Sequence, residues 1–123
     1  MTTTAAVRAA LGAYGETLAA RLLTSECGML LLDRNWRCSE GELDLVLRDG
    51  DVLVACEVKT RRGQGSGSPH EAVDRVRLER LHRLARRWAD EHGLHPEEVR
   101  VDLVAVLRPR RGAAVLDHVR GLV

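Results

Sequence analysis

The chain has 123 residues, 45% apolar and 30% charged, with a formal net charge of +1. That length and balance suit one soluble domain over residues 1–123 with a real hydrophobic core, and whole-chain charge points to no partner class. Phe is absent and the aromatics are Tyr14, Trp36 and Trp88 alone, which argues against single-strand binding by base stacking and leaves the core to Leu, Val and Ala.

The first helix is expected from about Ala5 to Glu26, where Leu11, Tyr14, Leu18 and Leu22 recur at helical spacing. Cys27-Gly28 supplies its stop. Met29 to Leu32 is a short apolar run that predicts a strand continuing toward Trp36. Glu42 to Arg48 and Asp51 to Lys59 alternate on either side of Asp49-Gly50, a strong hairpin signal. Residues 61–69 are rich in Gly and Ser and predict a loop. A second helix is expected to open on Ser68 as N-cap, with Pro69 in its first turn and Glu71 completing a capping box. Val73, Leu81, Leu84 and Trp88 form its inner face, and His92-Gly93 ends it. Val99 to Leu107 predicts a buried strand, Pro109 to Gly112 a turn, and Ala114 to Val119 a last short strand. The order α-β-β-β-α-β(-β) predicts an α/β fold: a mixed sheet flanked by helices, with one parallel pairing across the second helix.

The hairpin allows geometry. With Asp49-Gly50 as a two-residue loop, Asp44 lies opposite Ala55 and Glu42 opposite Glu57. One face then carries Leu43, Leu45 and Leu47 against Val52, Val54 and Cys56. The other carries Glu42, Asp44 and Val46 with Leu53, Ala55, Glu57 and Lys59. Asp44 and Glu57 become diagonal neighbours, with Cα atoms roughly 7–8 Å apart. Acids gathered on a sheet repel, so the pattern calls for a cation. Lys59 is one, and it is the single lysine of the chain. Mg²⁺, which accepts one or two carboxylates plus waters and phosphate oxygens, is another. Two acids holding a metal, with a lysine beside the second, suit phosphate-ester hydrolysis. Glu16 lies on the first helix among Ala13, Ala20 and Leu23 and is placed to reach back as a further ligand. A solvated strand face is the plainer account of any one of these residues. Val46, Leu53 and Ala55 on the same face favour a covered cluster.

These residues carry a family resemblance. Gly12-x-x-Gly15-Glu16-x-x-Ala19-x-x-x-Leu23, Asn35-x-Arg37, Gly41-Glu42-Leu43-Asp44-Leu45 and Glu57-Val58-Lys59-Thr60-Arg61 together resemble the small bacterial YraN family. The likeness continues to Arg100-x-Asp102 and His118. That family is placed in the PD-(D/E)XK nuclease superfamily and is similar to archaeal Holliday-junction resolvases. The resemblance implies a restriction-endonuclease-like fold and Mg²⁺- or Mn²⁺-dependent hydrolysis of DNA phosphodiesters, branched DNA included. By position it implies Asp44 and Glu57 as metal ligands, Lys59 as the catalytic lysine and Glu16 as the helix acid. Glu42 belongs to the pattern without an assigned role. A homodimer is implied by resemblance alone. Two departures stand out. Ala55-Cys56 replaces the aromatic usual before the second acid, and Arg77 stands for the lysine common in the second helix.

Arginines cluster at Arg61 and Arg62 and again at Arg75, Arg77, Arg80, Arg83, Arg86 and Arg87. Arg61, Arg62, Arg77 and Arg80 are the expected phosphate-backbone contacts; a solvated face paired with Asp74, Glu79 and Asp90 is the bland alternative. The five histidines show no metal-ligand spacing. Cys27, Cys38 and Cys56 are odd in number and form no CxxC, so a reducing compartment is expected. With no long apolar run and no basic leader, the cytoplasm is the expected location and no membrane partner is foreseen. The leading expectation is thus a metal-dependent endonuclease. The alternative is a nucleic-acid-binding module that keeps the fold and cleaves little on its own.

Overall fold

Thr3 caps the first helix: its hydroxyl accepts from the Ala6 amide at 3.0 Å. The computed structural model describes residues 3–63 and 73–123. Helix α1 (Thr4–Arg21) runs on into a π-helical turn, Leu22–Glu26, that closes when the Cys27 amide donates to the Leu22 carbonyl at 3.2 Å. Gly28, with φ at 70°, then turns the chain away, the left-handed stop foreseen for this helix.

Three strands follow: β1 (Leu30–Cys38), β2 (Gly41–Asp49) and β3 (Val52–Arg62). Helix α2 (Arg75–Glu91), β4 (Glu98–Arg108) and β5 (Val115–Val119) complete the chain. The sheet order is β1-β2-β3-β4-β5. Among the described strands only β3 and β4 pair in parallel, from Val52↔Glu98 to Arg62↔Arg108. The expected element order and mixed sheet are therefore present, with the parallel pairing across α2.

One helix covers each face. Leu81, Leu84, Ala85, Trp88 and Ala89 of α2 pack on Val46, Leu53, Ala55 and Val101. Ala19 of α1 and Leu23 of the π-helical turn pack on Leu45, Leu47, Val54, Cys56, Val104 and Val106. β3 therefore has no polar face along its middle. Odd positions meet α2, even positions meet α1, and Leu53 to Cys56 is buried throughout.

Several expectations shift. The buried line of the first helix is Gly15, Ala19 and Leu23; Tyr14, Leu18 and Leu22 flank it. Small residues win there because they let the helix approach the sheet. A Cβ on Gly15 would lie 1.7 Å from the Thr60 hydroxyl. The second helix begins at Arg75, with Asp74 in extended conformation as its N-cap; the Asp74 carboxylate accepts from the Arg77 amide at 2.8 Å. Ser68, Pro69 and Glu71 lie outside the described residues, and Val73 precedes the helix. The hairpin loop is Gly50-Asp51, because Asp49 still pairs with Val52. Gly50 takes φ of 60°, which is what a primed two-residue turn requires of it. Leu43 departs from the predicted face and packs in the α2 cluster.

Trp88 is buried, and its indole donates to the Asp33 carboxylate at 2.8 Å, tying α2 to β1. Trp36 packs against the α2 cluster, so both tryptophans serve the core.

The Gly15–Thr60 contact sets how closely α1 lies on β3. Gly15→Ala forces the two apart, and overpacking of this kind costs about 1–3 kcal/mol. Urea denaturation should show the midpoint falling with an unchanged slope. A variant as stable as the parent would disprove the close approach.

Candidate active site

The site sits where the β2–β3 ladder ends. The last pair is Leu45↔Cys56, and the next residue on each strand is Asp44 and Glu57. The shifted loop makes them direct neighbours rather than the expected diagonal ones. Glu42, expected opposite Glu57, is instead the register partner of Arg37 on β1, and their side chains form an exposed ion pair at 3.0 Å. Glu42 is thus outside the cluster.

Burial and repulsion act together on the two acids. Asp44 is half-buried, and its carboxyl is pushed up to about 8, first by desolvation and then by the charge of Glu57. The two carboxyls share a hydrogen bond, which further favours the protonated form, and Glu16 adds to the repulsion. One backbone contact works the other way: the Val58 amide donates to Asp44 Oδ2 at 2.9 Å. Without a cation, neutral solution leaves the Asp44–Glu57 pair holding a proton.

Two arginines answer the remaining charge. Arg77 of α2 donates to Glu57 Oε1 at 2.9 Å and to Oε2 at 3.4 Å, and the Glu57 carboxylate raises the Arg77 guanidinium in turn. Arg34 of β1 lies 3.6 Å from Glu16 and is strapped to α1 through the Ala13 carbonyl at 3.0 Å and the Thr17 hydroxyl at 3.1 Å. Glu16 is therefore close enough to raise Asp44 but turned toward Arg34. Lys59 is exposed two residues beyond Glu57 on the same strand.

Arg34 and Asn35 had no foreseen role. Asn35 takes φ of 56°, and the β1–β2 register skips it between Arg34↔Leu45 and Trp36↔Leu43, opposite Asp44. Asn tolerates this left-handed conformation better than most residues. The signal was an Asn inside an otherwise apolar and charged strand.

Arg61 and Arg62 are exposed at the end of β3, and Arg80 is exposed on α2 beside Gly41. The acids named as bland partners for the arginine helix are not the ones used: the ion pairs run from Arg77 to Glu57 and from Arg87 to Glu40 and Glu91. Among the described residues Arg75, Arg80, Arg83 and Arg86 form none.

Among the described residues, no three His, Cys, Asp or Glu side chains converge as a ready metal cage. Asp44 and Glu57 alone make a carboxylate pair. Two carboxylates completed by water suit Mg²⁺ or Mn²⁺ and fall short of the ligand set zinc favours. The proton that the pair retains marks a charge deficit that a divalent ion would fill, so these residues fit such an ion.

The family model described as "Uncharacterised protein family UPF0102" matches residues 15–106. A UPF0102 protein of Nocardioides sp. is 61% identical over 118 residues, covering 96% of this chain and 94% of that one. A UPF0102 protein of Streptomyces griseus is 60% identical over 116 residues, covering 94% and 97%. A solved structure described as Pyrococcus furiosus SfsA in complex with Ca²⁺ is 14% identical, with a TM-score of 0.39. It covers 89% of this chain, which spans 62% of that one, and at this TM-score the likeness carries no weight. No described helix is long and apolar enough to cross a membrane.

Asp44 holds its proton more tightly folded than unfolded. Its contribution to stability is whole below its ordinary value of 3.8 and is lost as pH rises toward about 8. Asp44→Asn removes that loss. In metal-free buffer the stability of the variant relative to the parent should climb by up to about 4 kcal/mol as pH rises from about 5 to 8.5. Stability curves for the two proteins that stay parallel over that range would refute the shift.

Proposed function

The chain belongs to the UPF0102 family, and from the carboxylate pair within the matched segment we propose a metal-dependent phosphodiesterase acting on DNA. The observation that carries this is Asp44 against Glu57, two acids kept together where the β2–β3 ladder ends, at an electrostatic cost that a cation would remove. Folded proteins separate like charges unless a site requires them.

A bound Mg²⁺ or Mn²⁺ would supply Lewis acidity at a phosphate oxygen and a more acidic water. Asp44 and Glu57 would hold that ion, Asp44 after losing its proton. Glu16, released from Arg34, is the third acid in reach of the same charge. Lys59 projects two residues beyond Glu57, where an ammonium stabilises charge gathering on phosphorus. Arg77 would exchange Glu57 for a phosphate, a partner its planar fork suits equally well. Arg61, Arg62 and Arg80 lie exposed beyond the pair and suit contacts to neighbouring backbone phosphates, which position DNA without reading its sequence. Branched DNA is the substrate class proposed, and a homodimer is the arrangement that would present two such sites to two strands.

A second reading has its own support. Arg77 on Glu57 and Arg34 on Glu16 already neutralise two of the acids. A module that binds DNA through its arginines and cleaves only with a partner fits that neutralised state.

A cleavage screen with Mg²⁺ and Mn²⁺ over linear, flapped and four-way DNA separates the two. The first reading expects metal-dependent nicking that drops by at least about 10³-fold in Glu57→Ala and about 10²-fold in Lys59→Ala, with DNA binding retained. Binding without cutting, identical in parent and Glu57→Ala, would leave only the second. Calorimetric Mn²⁺ binding adds a check: affinity should rise with pH up to about 8, since Asp44 must give up its proton.

A further inference from the structure

Away from the carboxylate pair, three elements bring together a thiol, an imidazole and a carboxylate. Cys27 follows the π-helical turn, His118 sits on β5 and Asp102 on β4. The Cys27 sulfur lies 3.9 Å from His118 Nδ1, and His118 Nε2 lies 2.9 Å from Asp102 Oδ2.

The carboxylate decides the tautomer. Asp102 is fully buried, and burial would raise its carboxyl. Donors from Arg100, the Gly121 amide and His118 hold it instead below the usual carboxylate range. Arg100 Nε donates at 2.9 Å and Nη2 at 3.2 Å, and the Gly121 amide donates at 2.9 Å. Asp102 is thus an anion that only accepts, so His118 Nε2 carries the hydrogen. The lone pair of a neutral His118 is then on Nδ1, aimed at the Cys27 thiol. This is how a nucleophile, its base and the group orienting the base are arranged.

The three depths differ as such a relay requires. Asp102 is sealed from solvent, the His118 side chain is 16% exposed, and Cys27 is exposed. Cys27 also ends a helix, where the backbone dipole disfavours an anion. Enhanced reactivity there therefore has to come from the imidazole. Cys56 is buried with its thiol pushed well up, first by desolvation, and offers no competing nucleophile.

We propose that Cys27, with His118 as proton acceptor and Asp102 as the group that orients it, is a reactive-thiol site for low-molecular-weight disulfides. The thiol proton passes to His118 Nδ1, and the Cys27 sulfur attacks one sulfur of the disulfide. The S–S bond breaks, and the departing thiolate takes the proton back from His118. Cys27 is oxidised to a mixed disulfide while one half of the reagent is reduced to a free thiol, so no further reductant or oxidant is needed.

The test uses the full reduced chain, iodoacetamide and peptide-resolved mass spectrometry. The reference is a synthetic peptide spanning residues 24–30 in the same buffer. Cys27 in the folded protein should alkylate at least about tenfold faster than in the peptide, and 2-hydroxyethyl disulfide should form its mixed disulfide at Cys27 before Cys38. His118→Gln should return Cys27 to the peptide rate with Cys38 labelling unchanged, which also reports that the fold is intact. A folded-state Cys27 rate no greater than the peptide rate overturns the proposal, even if His118→Gln does not fold. So does a folded His118→Gln protein whose Cys27 reacts as fast as the parent.

Discussion

β3 is hydrogen-bonded along both edges and covered on both faces, and this constraint organises the molecule. A strand in that position cannot show an amphipathic pattern through its middle. Leu53, Val54, Ala55 and Cys56 alternate between the two helices, and none of them meets water. Polar residues enter only where the cover runs out. Glu57 is the first of them, at the point where the antiparallel ladder with β2 stops. The chemistry of the site is thus placed by the end of a packed core, and the rigidity of that core holds the acids against each other.

The same geometry explains the charges around the pair. Asp44 is desolvated and lies beside the charges of Glu57 and Glu16, so it keeps a proton. Glu57 and Glu16 each face an arginine from a different element, α2 and β1. Removing one member of such a cluster changes the charge felt by the others. Gly15 contributes through space alone. By letting α1 approach Thr60, it brings Glu16 within electrostatic reach of Asp44.

At the α1 face of β4, the chain uses ion pairs differently. Asp102 is buried and fully ionised because four donors surround it, whereas Asp44 has one amide and a second acid. Half-buried Asp44 and buried Asp102 thus take opposite protonation states in one sheet, and the donors and acids around each decide which. Arg100 extends its pairing to Asp49 at 2.9 Å, so the β2–β3 turn is tied to β4 by the same residue.

Much of this was legible in residue order. Alternation around Asp-Gly marked the hairpin, helical spacing marked both helices, and the two acids and the lysine stood out by their positions on alternating strands. These are local signals, written in the periods of two and 3.6. The turn register was not settled locally, because Asp49-Gly50 and Gly50-Asp51 both make plausible two-residue loops. Packing chose the second, and the choice moved Glu42 out of the cluster and set Asp44 directly beside Glu57. Nor did sequence spacing reveal Arg34 on Glu16, Asp74 as the cap of α2, or Cys27 beside His118. The Arg34 and Cys27 contacts depend on how closely elements distant in the chain approach, whereas the Asp74 cap is a local choice of where the helix starts.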